Sequence, residues 1–177
     1  MIVVYDPQAE PGIPVSPYDL RADVHRPGVS IGLVSNGFPD ATNLMKAVGR
    51  ALEARLESPR ISLWERFDAT VLASDETIRE VVANCDVAVT GMGHCGSCTS
   101  SAVRDAVRLA RLGVPAVALV SEKFATSAGF VARSVGLPDI PRGRLPHPIS
   151  GTGAVRIQEI ANFVIDQVLS SWEVGHA

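Results

Sequence analysis

Short apolar runs closed by turn residues alternate along the chain with longer stretches whose apolar positions recur every three or four residues. The first pattern is that of buried strands and the second that of amphipathic helices. Ser30 to Ser35 is the first such run, closed by Asn36-Gly37, and Pro39 to Leu56 follows with Leu44, Val48, Ala51, Leu52 and Leu56 on one stripe. A weaker strand spans Arg60 to Trp64. Ser74 reads as the cap of a helix through Ala83, with Asp75 and Glu76 in its first turn, where the helix dipole favours negative charge. Further strands are predicted over Asp86 to Thr90, Val114 to Val120 and Arg144 to Pro146, and further helices over Thr99 to Leu112, Glu122 to Val135 and Ala154 to Trp172. Strand–helix units in succession predict a parallel five-stranded sheet covered on both faces, an α/β three-layer αβα sandwich with right-handed crossovers. The expected strand order is the flavodoxin-like 2-1-3-4-5, with a Rossmann-like variant as the alternative.

Residues 1 to 28 stand outside this pattern. They hold Pro7, Pro11, Pro14, Pro17 and Pro27 of the twelve prolines, and proline fixes φ and removes a donor, so an extended Pro-rich N-terminal arm is expected, followed by a single α/β domain over 29 to 177. Val3-Val4-Tyr5 reads as a short edge strand, and His25 as a solvated arm residue. Such an arm either packs on a neighbouring subunit of an oligomer or hugs its own domain.

Composition narrows the function classes. At 177 residues and 46% hydrophobic content the chain can bury a core of its own. Its net charge of −3 supplies no basic stripe, so no nucleic-acid partner is expected. The start lacks the flanks of a signal peptide, and no run reaches the ~20 apolar residues of a membrane helix, so no membrane partner and a cytoplasmic location are expected. Three cysteines are too few for a disulfide framework.

Two of those cysteines lie in Gly91-Met92-Gly93-His94-Cys95-Gly96-Ser97-Cys98-Thr99, between the third strand and the helix after it. The unpaired N–H groups of a helix start stabilise an anion, and a Cys-x-x-Cys pair there is an arrangement in which thiol pKa values fall. His94 is placed to add charge or shuttle a proton. A reactive thiol pair, two buried structural cysteines and half of a metal site are the open readings. In an open α/β sheet ligands bind beyond the carboxyl ends of the strands. That edge gathers Asn36-Gly37, the loop from Gly91 to Cys98, Ser121-Glu122-Lys123, and the loop from Pro146 to Gly153. Cys95, Cys98, His94 and His147 are therefore the candidate catalytic residues, and Asn36, Gly37, Gly96, Ser97, Thr99, Ser150 and Gly151 the candidate substrate contacts. The N–H groups of Ser150-Gly151-Thr152-Gly153 suit a substrate carboxylate or phosphate, or the stretch is an ordinary N-cap through Thr152 or Ser150. His147, between two prolines, reads as an acid/base or substrate contact or as a structural hydrogen-bond partner. Cys85 reads as a core residue, and Glu122 and Lys123 as a solvated helix start.

His94-Cys95-Gly96-Ser97-Cys98-Thr99 with Val103-Arg104-Asp105-Ala106-Val107 resembles the UGSC family, named for a selenocysteine-Gly-Ser-Cys motif in which cysteine often replaces the selenocysteine. The resemblance continues through Gly113-Val114-Pro115-Ala116-Val117, Gly136-Leu137-Pro138 and Pro146-His147-Pro148-Ile149, and back to Ile31-Gly32-Leu33 with Asn36-Gly37, about residues 29 to 155. It puts Cys95 at the selenocysteine position. More distantly the motif is similar to the selenocysteine-Gly-Thr-Cys segment of the selenoprotein B subunit of glycine and betaine reductases. In that subunit a third cysteine follows six residues on, where this chain has Ser101.

That similarity implies reductive chemistry on a small organic substrate without a bound cofactor. Cys95 attacks, Cys98 resolves the adduct as a disulfide, and an external thiol reductant reopens it. Two alternatives stand beside it: a Cys95 nucleophile without net oxidation, as in a lyase or transferase, and a metal-holding or non-catalytic subunit in a homo- or hetero-oligomer. Cys95, Cys98 and His147 supply three ligands toward a zinc site, one short of a structural tetrahedral set.

Overall fold

The computed structural model describes residues 13–173. The elements are β1 (Ser30–Ser35), α1 (Ala41–Glu53), β2 (Arg60–Glu65), α2 (Asp75–Asn84), β3 (Val87–Gly93), α3 (Gly96–Arg111), β4 (Ala116–Ser121), a 3-10 turn (Glu122–Phe124), α4 (Ala125–Ser134), β5 (Arg142–Leu145) and α5 (Ala154–Glu173). The strands form one sheet in the order β2-β1-β3-β4-β5, and every neighbouring pair is parallel. This is the flavodoxin-like order, not the Rossmann-like variant.

Alternation along the strands divides the core in two. Ile31, Leu33, Val89, Val117 and Leu119 face α1 and α5, whereas Val34, Ala88, Ala116 and Ala118 face α2, α3 and α4. Alanine on the second face lets the α3 backbone approach the sheet closely, and the branched residues on the first fill the wider gap beneath α1 and α5.

Element boundaries depart from expectation where glycine and cysteine decide them. β3 runs to Gly93, three residues past the predicted end at Thr90, because Gly91 and Gly93 still pair with Leu119 and Val120 across a register shift. A Cβ on Gly93 would lie 2.8 Å from the Thr99 hydroxyl, so the glycine permits α3 to start directly above the strand end. β5 occupies Arg142–Leu145 rather than 144 to 146, and the helix predicted from Glu122 divides into the 3-10 turn and α4.

The described part of the arm lies against its own chain. Ser16 N–H donates to Gly136 O at 2.8 Å, and Ala22 N–H to Trp172 O at 3.1 Å. Tyr18 is 2% exposed, its hydroxyl accepts from Ala116 N–H at 3.3 Å, and burial pushes the phenol up to about 12. His25 is exposed and meets Glu173 at 2.5 Å. The strand expected at Val3-Val4-Tyr5 lies outside the described residues. Among the described residues no helix is long and apolar enough to cross a membrane.

Candidate active site

α3 begins where β3 ends because a cysteine caps it. Cys95 has extended φ and ψ, its sulfur accepts the Cys98 N–H at 3.2 Å, and the Cys98 sulfur accepts the Cys95 N–H at 2.6 Å, a reciprocal capping box. Serine or threonine at the cap and Glu or Gln three residues on normally fill these positions; here two sulfurs do. The Cys98 sulfur also accepts the His94 N–H at 3.2 Å, so two backbone donors and the positive end of a sixteen-residue helix act on it. The two sulfurs are in direct contact, and the Cα atoms are 5.4 Å apart, within the span of a disulfide. Cys98 is fully buried. Cys95 is half-buried, Gly96 and Ser97 are exposed beside it, and the Ser97 hydroxyl is 3.5 Å from the Cys95 sulfur.

The remaining cysteine differs sharply. Cys85 packs beneath Gly32 against the α2–α3 side of the core, and its thiol is pushed up to about 11, first by burial and then by the charge of Asp86. In the reduced protein at pH 7, iodoacetamide is expected to alkylate Cys95 at least ~10²-fold faster than Cys85, because the thiolate is the reacting form. Peptide mapping over a time course measures both rates, and similar rates in the folded chain would contradict an activated Cys95.

Beside the thiols three rings lie in sequence. Phe38 and His94 have centroids 5.3 Å apart, and His94 stacks on His147 at 4.7 Å with 24° between the planes. Nε2 of His94 accepts the Ile149 N–H at 3.1 Å. Burial, and then the charge of His147, hold the His94 pKa below its usual 6.5. Nδ1 of His147 is 2.9 Å from the Ser121 hydroxyl.

The expected substrate contacts divide. Asn36 is 1% exposed and its amide is used within the chain: Nδ2 donates to Met92 O at 3.0 Å and Cys98 O at 3.2 Å, with Ser101 Oγ at 3.4 Å, while Oδ1 accepts Met92 N–H at 3.0 Å and Phe38 N–H at 3.3 Å. It ties the loop after β1 to the loop after β3 and has no group left for a substrate. Gly37 has φ +73°, and a Cβ there would sit 1.9 Å from Arg66 O, so it serves the turn. Thr99 is fully buried. The N–H of Gly151 donates to Asp40 Oδ2 at 2.8 Å, so the chain's own carboxylate occupies the donor expected to hold a substrate anion. That N–H, followed by the Asn43 amide, keeps the Asp40 carboxyl below the usual carboxylate range. Thr152 turns its hydroxyl back to Ile149 O at 2.6 Å. Ser150 is half-buried in the same loop, and Gly96 and Ser97 remain open beside Cys95.

Four residues matter that the pattern did not single out for these roles. Phe38 completes the ring stack, Asp40 fills the glycine loop, and Ser121 holds His147. Ser101, at the place of the reductase's third cysteine, is 1% exposed, with its hydroxyl 3.0 Å from Ala69 O and 3.1 Å from Cys98 O. Ser121 carries a legible signal, a polar residue at the carboxyl end of an apolar strand. The same edge holds a cavity of about 370 Å³ lined by Val34, Trp64, Phe67, Val71 and Leu72. Among the described residues no three His, Cys, Asp or Glu side chains converge as metal ligands, so Cys95, Cys98 and His147 do not form the donor set a zinc ion needs.

The sequence model of the UGSC family matches residues 4–174 of the chain. No curated protein matches it. Among solved structures it is similar to a diflavin flavoprotein A3 from Nostoc sp., with 15% identity over 82% of this chain and 97% of that one at a TM-score of 0.40. A flavodoxin-like domain from a Synechococcus sp. protein gives 13% identity over 81% and 99% at 0.37. The lactose-specific IIB component domain of the phosphoenolpyruvate:carbohydrate phosphotransferase system from Streptococcus pneumoniae gives 6% over 82% and 99% at 0.32. The fold assignment rests on this chain's own strand order.

Proposed function

The chain belongs to the UGSC family, and from that premise we propose that it is a cytoplasmic thiol-dependent oxidoreductase in which Cys95 attacks a small organic substrate and Cys98 resolves the adduct. One observation carries the reading: two sulfurs in direct contact at a helix start, one half-buried and the other fully buried. In the first step the Cys95 thiolate displaces a leaving group from an activated substrate at a heteroatom X, forming an S–X bond, and the departing group takes a proton. In the second, the Cys98 thiolate attacks the Cys95 sulfur and expels X with the bonding pair, leaving a disulfide. The substrate has gained two electrons, and the two thiols have lost them.

Reopening follows from the same asymmetry. A dithiol reductant, the expected protein partner, reaches Cys95 first, and Cys98 leaves as a thiolate received by the His94 and Cys95 N–H groups. Intact-mass analysis tests the reading: a mild oxidant should remove about 2 Da, thioredoxin-type dithiols should restore it, and peptide mapping should assign the bond to Cys95 and Cys98. A protein that keeps both thiols free under oxidant, or oxidises Cys95 irreversibly first, would refute it.

A further inference from the structure

The segment 66–73, between β2 and α2, borders a cavity that the thiol chemistry does not use. We propose that this cavity binds a small aromatic carboxylate, with the apolar body against Trp64, Val71 and Leu72 and the carboxylate on the guanidinium of Arg66. No cysteine or histidine lines it, so the inference stands apart from the thiol reading.

The walls supply the apolar half of the argument. At about 370 Å³ the cavity is near the lower end of the ~300–1,000 Å³ usual for small-molecule sites. Phe67 is 96% exposed, Val71 50% and Leu72 40%. Trp64 is half-buried beside them, and its indole N–H already donates to Glu80 at 2.7 Å. Large apolar side chains left against water around one concavity favour a partner that covers them. The wall is held in place before any ligand arrives: the Ser101 hydroxyl donates to Ala69 O at 3.0 Å, and Asp105 accepts the Ala73 N–H at 3.0 Å. Such ties leave a ligand little ordering to impose.

Arg66 selects the charge. It forms part of the cavity wall, its side chain is only 14% exposed, and Nε and Nη2, the two nitrogens along one edge of the fork, are buried without a hydrogen-bond partner among the described residues. Nη1 lies 2.8 Å from Asp105 Oδ2, a charge contact out of line for a hydrogen bond. Arg108 also approaches Asp105, with Nη1 3.5 Å from Oδ1, so one buried carboxylate faces two guanidinium groups. Arg108 is completed by Ala73 O and by Asp75 at the surface. The other carboxylates of this region are engaged: Glu65 meets Lys46 at 3.6 Å, and Asp68 accepts the N–H and hydroxyl of Thr70. Buried donors without an acceptor are costly. A carboxylate answers Nε and Nη2 together and balances the second charge, whereas water brings no charge and an uncharged aromatic leaves the fork empty.

Titration of the reduced full-length chain with 2-naphthoate near neutral pH, followed through the indole N–H resonances by NMR, tests this. The two tryptophans are Trp64, at the cavity, and Trp172, fully buried in the core on the α1–α5 face, and Trp64→Phe assigns the signals. The Trp64 signal should shift saturably while that of Trp172 stays. 2-Naphthamide, equal in shape but uncharged, should bind about tenfold more weakly, the margin of a charge-assisted over a neutral hydrogen-bonded contact. Leu72→Glu, at a position already 40% exposed, should fold as the wild type does and weaken 2-naphthoate about tenfold or more by setting a like charge at the wall. Arg66→Gln should erase the preference for the acid. Because that change also strips Asp105 of its neighbour, the wild-type comparison and Leu72→Glu decide the matter if the variant fails to fold. Equal affinities for acid and amide in the wild type, a shift at Trp172 alone, undiminished binding by Leu72→Glu, or no saturation at millimolar 2-naphthoate would each overturn the proposal.

Discussion

Replacing Cys98 by serine is expected to give a protein that takes up one equivalent of substrate on Cys95 and stops, with turnover falling ~10³-fold or more, the scale on which members of a covalent catalytic unit act. Serine preserves the architecture, because its oxygen can accept the Cys95 and His94 N–H groups that the sulfur accepts now. The loss is therefore chemical, not structural. Cys95→Ser should form no adduct, since a serine hydroxyl is scarcely ionised at neutral pH. Intact mass spectrometry after mixing with electrophilic substrates separates the two variants: a stable adduct on one, an unmodified chain for the other. Repeated turnover by Cys98→Ser at the wild-type rate without added reductant would show that Cys95 works alone and that the disulfide route is wrong.

The second large effect is on stability. Asn36→Ala removes an amide that bonds Met92, Cys98 and Phe38 from inside the protein, leaving the Met92 and Phe38 N–H groups and the Met92 carbonyl short of partners, while Cys98 O keeps the Ser101 hydroxyl. Each buried group so stranded costs about 1–3 kcal/mol, less where water enters, so a total of roughly 3 kcal/mol is expected. For a chain of this size that lowers the melting temperature by roughly 10 °C. Differential scanning calorimetry gives the value directly. A shift of a degree or two would mean that the amide does not hold the two loops together.

These two residues also show what a linear sequence discloses. The five strands and their order were legible because each strand is an apolar run bounded by turn residues, and parallel units leave few ways to connect them. The candidate thiols and histidines were legible as a group because the strand order assigns their loops to one edge. Side-chain destinations were not. Asn36 and the Gly151 N–H look like open polar groups until partners 56, 62 and 111 residues away close on them, and no local pattern encodes those meetings. α3 starts at Gly96, three residues before the expected Thr99, because its cap is a cysteine, which is not among the usual capping residues. Ser121 is legible as a polar residue at that edge, but its partner, His147, is 26 residues further on and no local pattern joins the two.

The leader over residues 13–24 works at the opposite rim of the sheet. Tyr18 receives the first N–H of β4, Ala22 reaches the last turn of α5, and Val24 enters the core beneath α1. The amino rim is thus covered by residues 16–24, while the loops of the carboxyl rim are held to one another chiefly through Asn36. Cohesion and selectivity are separable properties of this molecule. On the thiol reading proposed above, the exposed Gly96 and Ser97 are where substrate selectivity would be altered without loosening the sheet, whereas losing Tyr18 and Val24 would weaken both core clusters.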